Sequence, residues 1–250
     1  MIIVRTKSQI SQKAISLVSV TVLSLITLAG CTAKQPPTAT TEPVQKTEVA
    51  NNGTTEPGQK TEPVANNGQK AESETLKNLQ AAYNGESNAN VRYLAFAEKA
   101  DAEGYKQVAT LFRAAAMAEQ IHRDNHAAVI RKMGGTPEAK IDTPEVKSTA
   151  ENLQAAITGE SYERDTMYPQ FIELARKEGN LEAVRTLDWA MEAEKEHANY
   201  YTTAKDNLED WKEAKLAFYV CPECGLTTDN LNFEKCPECG EPKEDFKKVV

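Results

Sequence analysis

Histidine and cysteine are scarce in this chain, with three and five among 250 residues. Five cysteines are too few for a disulfide-dense scaffold, so their spacing says more than their number. Positive charge is also short: 29 Lys and Arg face 37 Asp and Glu, a formal net charge of −8. A sequence-independent grip on nucleic acid needs clustered basic side chains, so that class of function is excluded. Long apolar runs are missing too. The run from Ala14 to Ala29 has sixteen residues, where a permanent membrane span needs about 20.

What is present changes sharply three times along the chain. Residues 1–13 carry Arg5, Lys7 and Lys13 and no acid, and the apolar run that follows ends in Leu28-Ala29-Gly30-Cys31. A basic start, a short apolar stretch and small residues at the cut read as a secretory signal over 1–30, with an uncleaved anchor helix as the alternative. Leu-Ala-Gly-Cys resembles the bacterial lipoprotein box. That resemblance implies lipidation of Cys31 and an exported protein anchored on the extracytoplasmic side of the cell membrane. Residues 31–72 contain no aromatic, Leu or Ile residue and five of the eleven prolines, and Thr41-Glu42-Pro43 returns as Thr55-Glu56-Pro57. Such a composition cannot bury enough apolar surface to offset chain entropy, so it reads as a disordered tether.

From Ser73 to residue 215 the texture is Ala, Leu, Glu and Lys with apolar residues three and four apart, the period of helices. Gly104, Gly134-Gly135 and Gly179 read as stops, and Ser148-x-x-Glu151 as a capping box. Four helices of near thirty residues result, the last from about Leu181 toward Lys212. Pro169 should kink the third. The long link from Gly134 to Lys147 suits a crossover between two helix pairs.

The bundle repeats itself. Asn78-Leu79-Gln80-Ala81-Ala82 and Gly85-Glu86-Ser87 return 74 residues later as Asn152-Leu153-Gln154-Ala155-Ala156 and Gly159-Glu160-Ser161. Glu119-x-x-His122 returns 75 residues later as Glu194-x-x-His197. A Glu and a His three apart share a helix face and can reach a common point. Two such pairs, with Glu86 and Glu160 from the other helices, match the ligand pattern of carboxylate di-iron bundles. Carboxylate oxygens with some imidazole suit a redox-active pair of iron or manganese ions better than structural zinc.

Several neighbours have two readings. Glu163, on the face of Glu160, is an exposed carboxylate or a fifth one beside the metals. Tyr93 and Tyr168 stand about two turns beyond Glu86 and Glu160, and either fill the core or hydrogen-bond a ligand carboxylate from behind. His126 lacks a histidine counterpart in the second half and reads as a surface residue. Trp189, Met117, Met167 and Met191 read as core.

Residues 216–250 hold two copies of C-P-E-C-G, at Cys221–Gly225 and Cys236–Gly240. Thirty-five residues cannot build a core alone, so a metal must hold them. Cys221, Cys224, Cys236 and Cys239 suit one zinc or iron ion, and two disulfides are the rival in an exported protein.

The bundle motifs followed by the cysteine knuckles resemble rubrerythrin over residues 73–250. The resemblance implies a mainly α protein, a ferritin-like four-helix bundle over 73–215 and a small rubredoxin-like domain over 216–250. It implies one iron held by Glu86, Glu119, Glu194 and either Glu163 or His122, and a second held by Glu160, Glu119, Glu194 and His197. A third iron at the four cysteines would relay single electrons, zinc being the other candidate there. The activity implied is reduction of hydrogen peroxide to water in oxidative-stress defence. The partners implied are an unidentified electron donor, a reductase or redox carrier, and a second copy of the chain in a homodimer or larger assembly. The lipoprotein signal and tether depart from the family and put the usual soluble donor in doubt. A non-enzymatic iron handler or electron carrier is the alternative, and a structural lipoprotein with a zinc ribbon is a third.

Overall fold

The computed structural model describes residues 73–213 and 215–250. The signal segment, the tether and Cys31 lie outside the described residues. Helices α1 (Glu74–Ala102) and α2 (Lys106–Lys132) form one hairpin; α3 (Thr149–Tyr162), α4 (Tyr168–Lys177) and α5 (Leu181–Asp206) form the other. The expected caps are in place. Ser73 accepts from the Leu76 N–H, and Ser148 and Glu151 make a reciprocal capping box.

The third helix differs from expectation in how it bends. Residues Glu163–Met167 form a π-helical turn joining α3 to α4, closed by the Tyr168 N–H on the Glu163 carbonyl. Pro169 brings no N–H and crowds the carbonyl of residue 165, and a wider turn absorbs both defects without ending the helix. The fourth helix stops at Asp206 and continues only as a 3₁₀ turn, Leu208–Trp211.

The link after α2 is tied along α1 by a stripe of amides one helical turn apart. Gln80 donates to the Thr136 carbonyl (2.6 Å), Asn84 accepts from the Lys140 N–H (2.8 Å), and Asn88 accepts from the Asp142 N–H (2.9 Å). Those bonds satisfy the backbone of a segment without regular structure, and they guide the crossover to α3.

Two apolar clusters fill the bundle. One gathers Tyr93, Phe96, Phe112 and Tyr201, with ring centroids 5.1 to 6.2 Å apart. The other gathers Leu79, Ile130, Tyr168, Ile172 and Leu187. Along α1, Glu86 falls between Leu79 and Tyr93, so the polar residues lie between the two clusters. Helix α2 is buried on more than one face, and its run Ala114, Ala115, Ala116 and Ala118 has no exposure. Small side chains there let neighbours approach closely.

One of those neighbours is the C-terminal segment. Strands β1 (Phe218–Val220), β2 (Thr227–Thr228) and β3 (Lys247–Val249) form an antiparallel sheet in the order β2-β1-β3. Phe218, Val220 and Val249 belong to the first bundle cluster, so this sheet packs on the bundle. Trp189 is half-buried and packs against the cysteines, and Met117, Met167 and Met191 are half-buried at the cluster edges. Trp189 thus supports the smaller domain, a correction that follows from where that domain docks.

Replacing Phe112 by Ala should lower the unfolding free energy by about 3–5 kcal/mol, because its ring touches three aromatic neighbours. Leu181→Ala, at a position 75% exposed, should cost less than about 0.5 kcal/mol. Urea titrations of the two variants check the contrast.

Candidate metal centres

Four of the five helices each turn one carboxylate into the bundle interior. Glu86 comes from α1, Glu119 and His122 from α2, Glu160 from α3, and Glu194 and His197 from α5; all six are buried. They fall into two overlapping sets: Glu86, Glu119, His122 and Glu194, and Glu119, Glu160, Glu194 and His197. Within each set one donor atom per residue lies within 4.8 Å of the others. Glu119 and Glu194 belong to both sets, the arrangement of carboxylates that bridge two ions.

The imidazoles face the carboxylates through Nδ1. His122 Nδ1 lies 3.0 Å from Glu119 and 3.1 Å from Glu194, and His197 Nδ1 lies 2.7 Å from Glu194 and 3.3 Å from Glu119. Glu86 Oε2 and Glu160 Oε2 have no hydrogen-bond partner, and Glu119 Oε1 and Glu194 Oε1 meet only the imidazoles of His197 (3.3 Å) and His122 (3.1 Å). Buried acceptors in that condition are costly without a cation. The orphaned oxygens and the donor types fit two divalent ions.

Electrostatics without a metal agree. Burial, with Glu119 and Glu194 nearby, pushes Glu86 and Glu160 well above the usual carboxylate range. Burial pushes Glu163 up to about 8. Burial opposes the charged form of His122, but Glu194 and Glu119 outweigh it and raise that imidazole to about 9. Glu119 and Glu194 likewise overcome burial at His197 and raise it to about 10.

The tyrosines bind crosswise between the halves. Tyr93 donates to Glu160 (2.5 Å) and Tyr168 donates to Glu86. Each hydroxyl thus meets an outer carboxylate, and each ring also fills the core. Glu163 lies outside both ligand sets, beside Glu160, with its Oε1 3.7 Å from where a side chain on Gly85 would begin. His122 completes the Glu86 set.

His126 corrects the surface reading. It is fully buried, its Nδ1 is 3.1 Å from Thr186 Oγ1 and its Nε2 is 3.5 Å from the Tyr168 hydroxyl. Burial holds its pKa down at about 3. The signal available was its place one turn beyond His122, on the same inward face. Tyr201, one turn beyond His197, was missed in the same way. Arg92, beside Tyr93 and facing Glu163 and Glu160, had no signature.

The four cysteines are free thiols, with Sγ separations of 3.5 Å for Cys221–Cys239 and 3.6 Å for Cys224–Cys236. Those distances exclude disulfides, which need about 2.05 Å. They approach the edges of a tetrahedron around one ion with bonds of about 2.3 Å. Hydrogen bonds from Cys221 and Cys224 pull Cys236 down to about 2, while burial raises Cys239. The two knuckles share a backbone pattern, with Gly225 and Gly240 N–H groups donating to the Cys221 and Cys236 carbonyls.

The first knuckle reaches the other centre. Thr227 Oγ1 is 3.0 Å from His197 Nε2, and Asn125 donates to the Glu223 carbonyl at 2.7 Å. Gly225 has a φ of +82°, and a Cβ there would come within 2.2 Å of His122 Nε2. Only glycine fits this approach. The two centres therefore meet within one chain.

Comparisons with known proteins agree with this geometry. Residues 77–205 match the family model described as rubrerythrin. Nigerythrin of Nitratidesulfovibrio vulgaris is 39% identical over 177 residues, covering 70% of this chain and 87% of its own length. Rubrerythrin-2 of Clostridium acetobutylicum is also 39% identical, over 67% of this chain and 92% of its own. The structure of fully reduced, all-ferrous nigerythrin superposes with a TM-score of 0.66 at 38% identity, covering 74% of this chain and 91% of that one.

The raised groups fix the sign of a pH effect in the metal-free chain. Stabilisation from protonated His122 and His197 is present below pH 6.5 and is lost as pH rises through about 9 and 10. Protonated Glu163 stabilises the fold below pH 4.5, and that contribution is lost as pH rises through about 8. Depressed His126 acts only below about pH 6.5. The melting temperature of metal-free protein should therefore fall between pH 7 and pH 9, and bound iron should flatten the fall by replacing the protons. Melts that rise over that window would contradict this account.

Proposed function

The chain belongs to the rubrerythrin family of oxidoreductases, with a di-iron centre and a rubredoxin-like four-cysteine centre, and we propose that it reduces hydrogen peroxide to water. The observation that carries this reading is the pair of overlapping ligand sets with a cysteine knuckle laid against both of their imidazoles. The reaction is H₂O₂ + 2 e⁻ + 2 H⁺ → 2 H₂O. Iron held by the two Glu and His sets and by the four cysteines would, when bound, supply the two electrons.

The side chains do the rest. Glu119 and Glu194 hold the two halves at bridging distance. Tyr93 and Tyr168 fix the outer carboxylates, and the aromatic cluster keeps bulk water from that side of the site. Thr227 fixes His197, while His122 Nε2 has no hydrogen-bond partner and lies against Gly225. His122 is therefore the freer imidazole. Exchange of its place with Glu163 would change the ligand charge by one. Cys221 and Cys224, in one knuckle with Gly225, would offer electrons a path to His122.

The same reading places the protein at the outer face of the cell membrane through a lipidated Cys31, with the basic and apolar pattern of residues 1–30 as its support. A donor on that side, a reductase or redox carrier, would reload the cysteine centre. A homodimer or larger assembly follows from the family resemblance.

The test takes the chain from Ser73 onward, loaded with iron, reduced anaerobically and mixed with one equivalent of hydrogen peroxide. Fast return of iron–thiolate absorption with peroxide and slow return with oxygen is the expected result. Iron that ignores peroxide would point to storage or electron carriage, and colourless zinc-bound protein would remove the relay. Glu163→Ala should slow peroxide turnover by about tenfold and leave the thiolate absorption intact. An unchanged rate would remove Glu163 from the site.

A further inference from the structure

The internal duplication gives residues around the di-iron centre counterparts 74 or 75 positions away, so departures from symmetry stand out. Tyr93 and Tyr168 are counterparts, and each donates to the outer carboxylate of the opposite half. What stands behind each tyrosine differs. Behind Tyr93 is Tyr201, with ring centroids 5.5 Å apart and a buried hydroxyl that has no partner. Behind Tyr168 is His126, the counterpart of Tyr201, with Thr186 at its far nitrogen. The counterpart of Thr186 is Leu111, an apolar member of the cluster around Tyr93. One half is backed by packing and the other by a line of polar groups.

Donor bookkeeping gives that line a direction. The Tyr168 hydroxyl has one hydrogen, which goes to Glu86, so it can only accept from His126. His126 Nε2 must then carry the proton. A neutral imidazole has one N–H, so Nδ1 is an acceptor and takes the hydrogen of Thr186. Thr186, His126, Tyr168 and Glu86 therefore form a chain in which every donor points toward the carboxylate. In a water-free interior such chains polarise their members in one sense and hold them in one orientation.

We propose that His126 and Thr186 are positioning residues that lock Tyr168 onto Glu86 and so secure the metal ion of the Glu86 half, with no equivalent device in the Glu160 half. The proposal rests on the di-iron centre and is independent of which oxidant the protein reduces. Outer partners of metal ligands commonly change affinity by about 10- to 100-fold when removed. The asymmetry predicts that this loss falls on one ion of the pair.

The test is an anaerobic ferrous titration of the full chain, followed by Mössbauer spectroscopy, with the cysteine-held iron as an internal reference. Thr186→Val removes one hydroxyl and keeps the shape of the side chain. It should weaken one ion of the pair by about tenfold, alter that ion's ferrous doublet alone, and leave the other ion and the cysteine centre unchanged. Thr186→Ser should restore binding, and Tyr201→Phe should change nothing, since that hydroxyl has no partner. His126→Phe should reproduce the Thr186→Val result more strongly. Wild-type affinity and doublets in Thr186→Val would overturn the proposal. Equal weakening of both ions would overturn it too, since it would mean general loosening of the core.

Discussion

Four carboxylates share the interior of one helical bundle with two imidazoles, and they must be compensated there. Ionised groups removed from water cost several kcal/mol each unless a counter-charge and hydrogen bonds are supplied. The bundle supplies two tyrosine hydroxyls, one for each outer carboxylate, and leaves the second oxygen of Glu86 and of Glu160 open. Those open oxygens suit cations and little else. The apolar clusters on either side keep the layer dry, which strengthens whatever binds in it.

The placement of the C-terminal sheet follows from the same bundle. Helix α2 carries alanines where a two-sided helix would carry charges, so it needs a second cover. Phe218, Val220 and Val249 provide it, and their strands bring the first knuckle over the outer nitrogens of the metal-facing imidazoles. Burying apolar area thus sets the distance between the two centres. Gly225 permits the approach, because a single methyl group there would collide with His122.

The legible part of this arrangement was periodic or duplicated. Helix stops, the capping box, the paired Glu-x-x-His motifs and the twin knuckles are local patterns, and each has a physical reason to recur at fixed spacing. His126 escaped because its role depends on a residue 42 positions away, and nothing local to it distinguishes a solvated face from a doubly covered one. Trp189 escaped for a related reason: its neighbours are cysteines of the other domain. Pro169 was legible as a disturbance, but whether a helix kinks, breaks or widens into a π turn depends on what the flanking turns can pack against.

Duplication also explains why the residues facing the metals and those behind them behave differently. The inward carboxylates and imidazoles match pair for pair, since each half must offer the same kinds of donor to its ion. Their supports were free to diverge, and three of them did. Thr227 holds His197 while His122 has no such bond; His126 stands where the other half has Tyr201; Thr186 stands where it has Leu111. Both outer carboxylates are held by a tyrosine hydroxyl; behind it the Glu86 half adds His126 and Thr186 and leaves His122 Nε2 without a hydrogen bond, whereas the Glu160 half adds aromatic packing and bonds His197 to Thr227. The imidazole whose outer nitrogen has no hydrogen bond, His122, thus sits in the half whose carboxylate has the polar support.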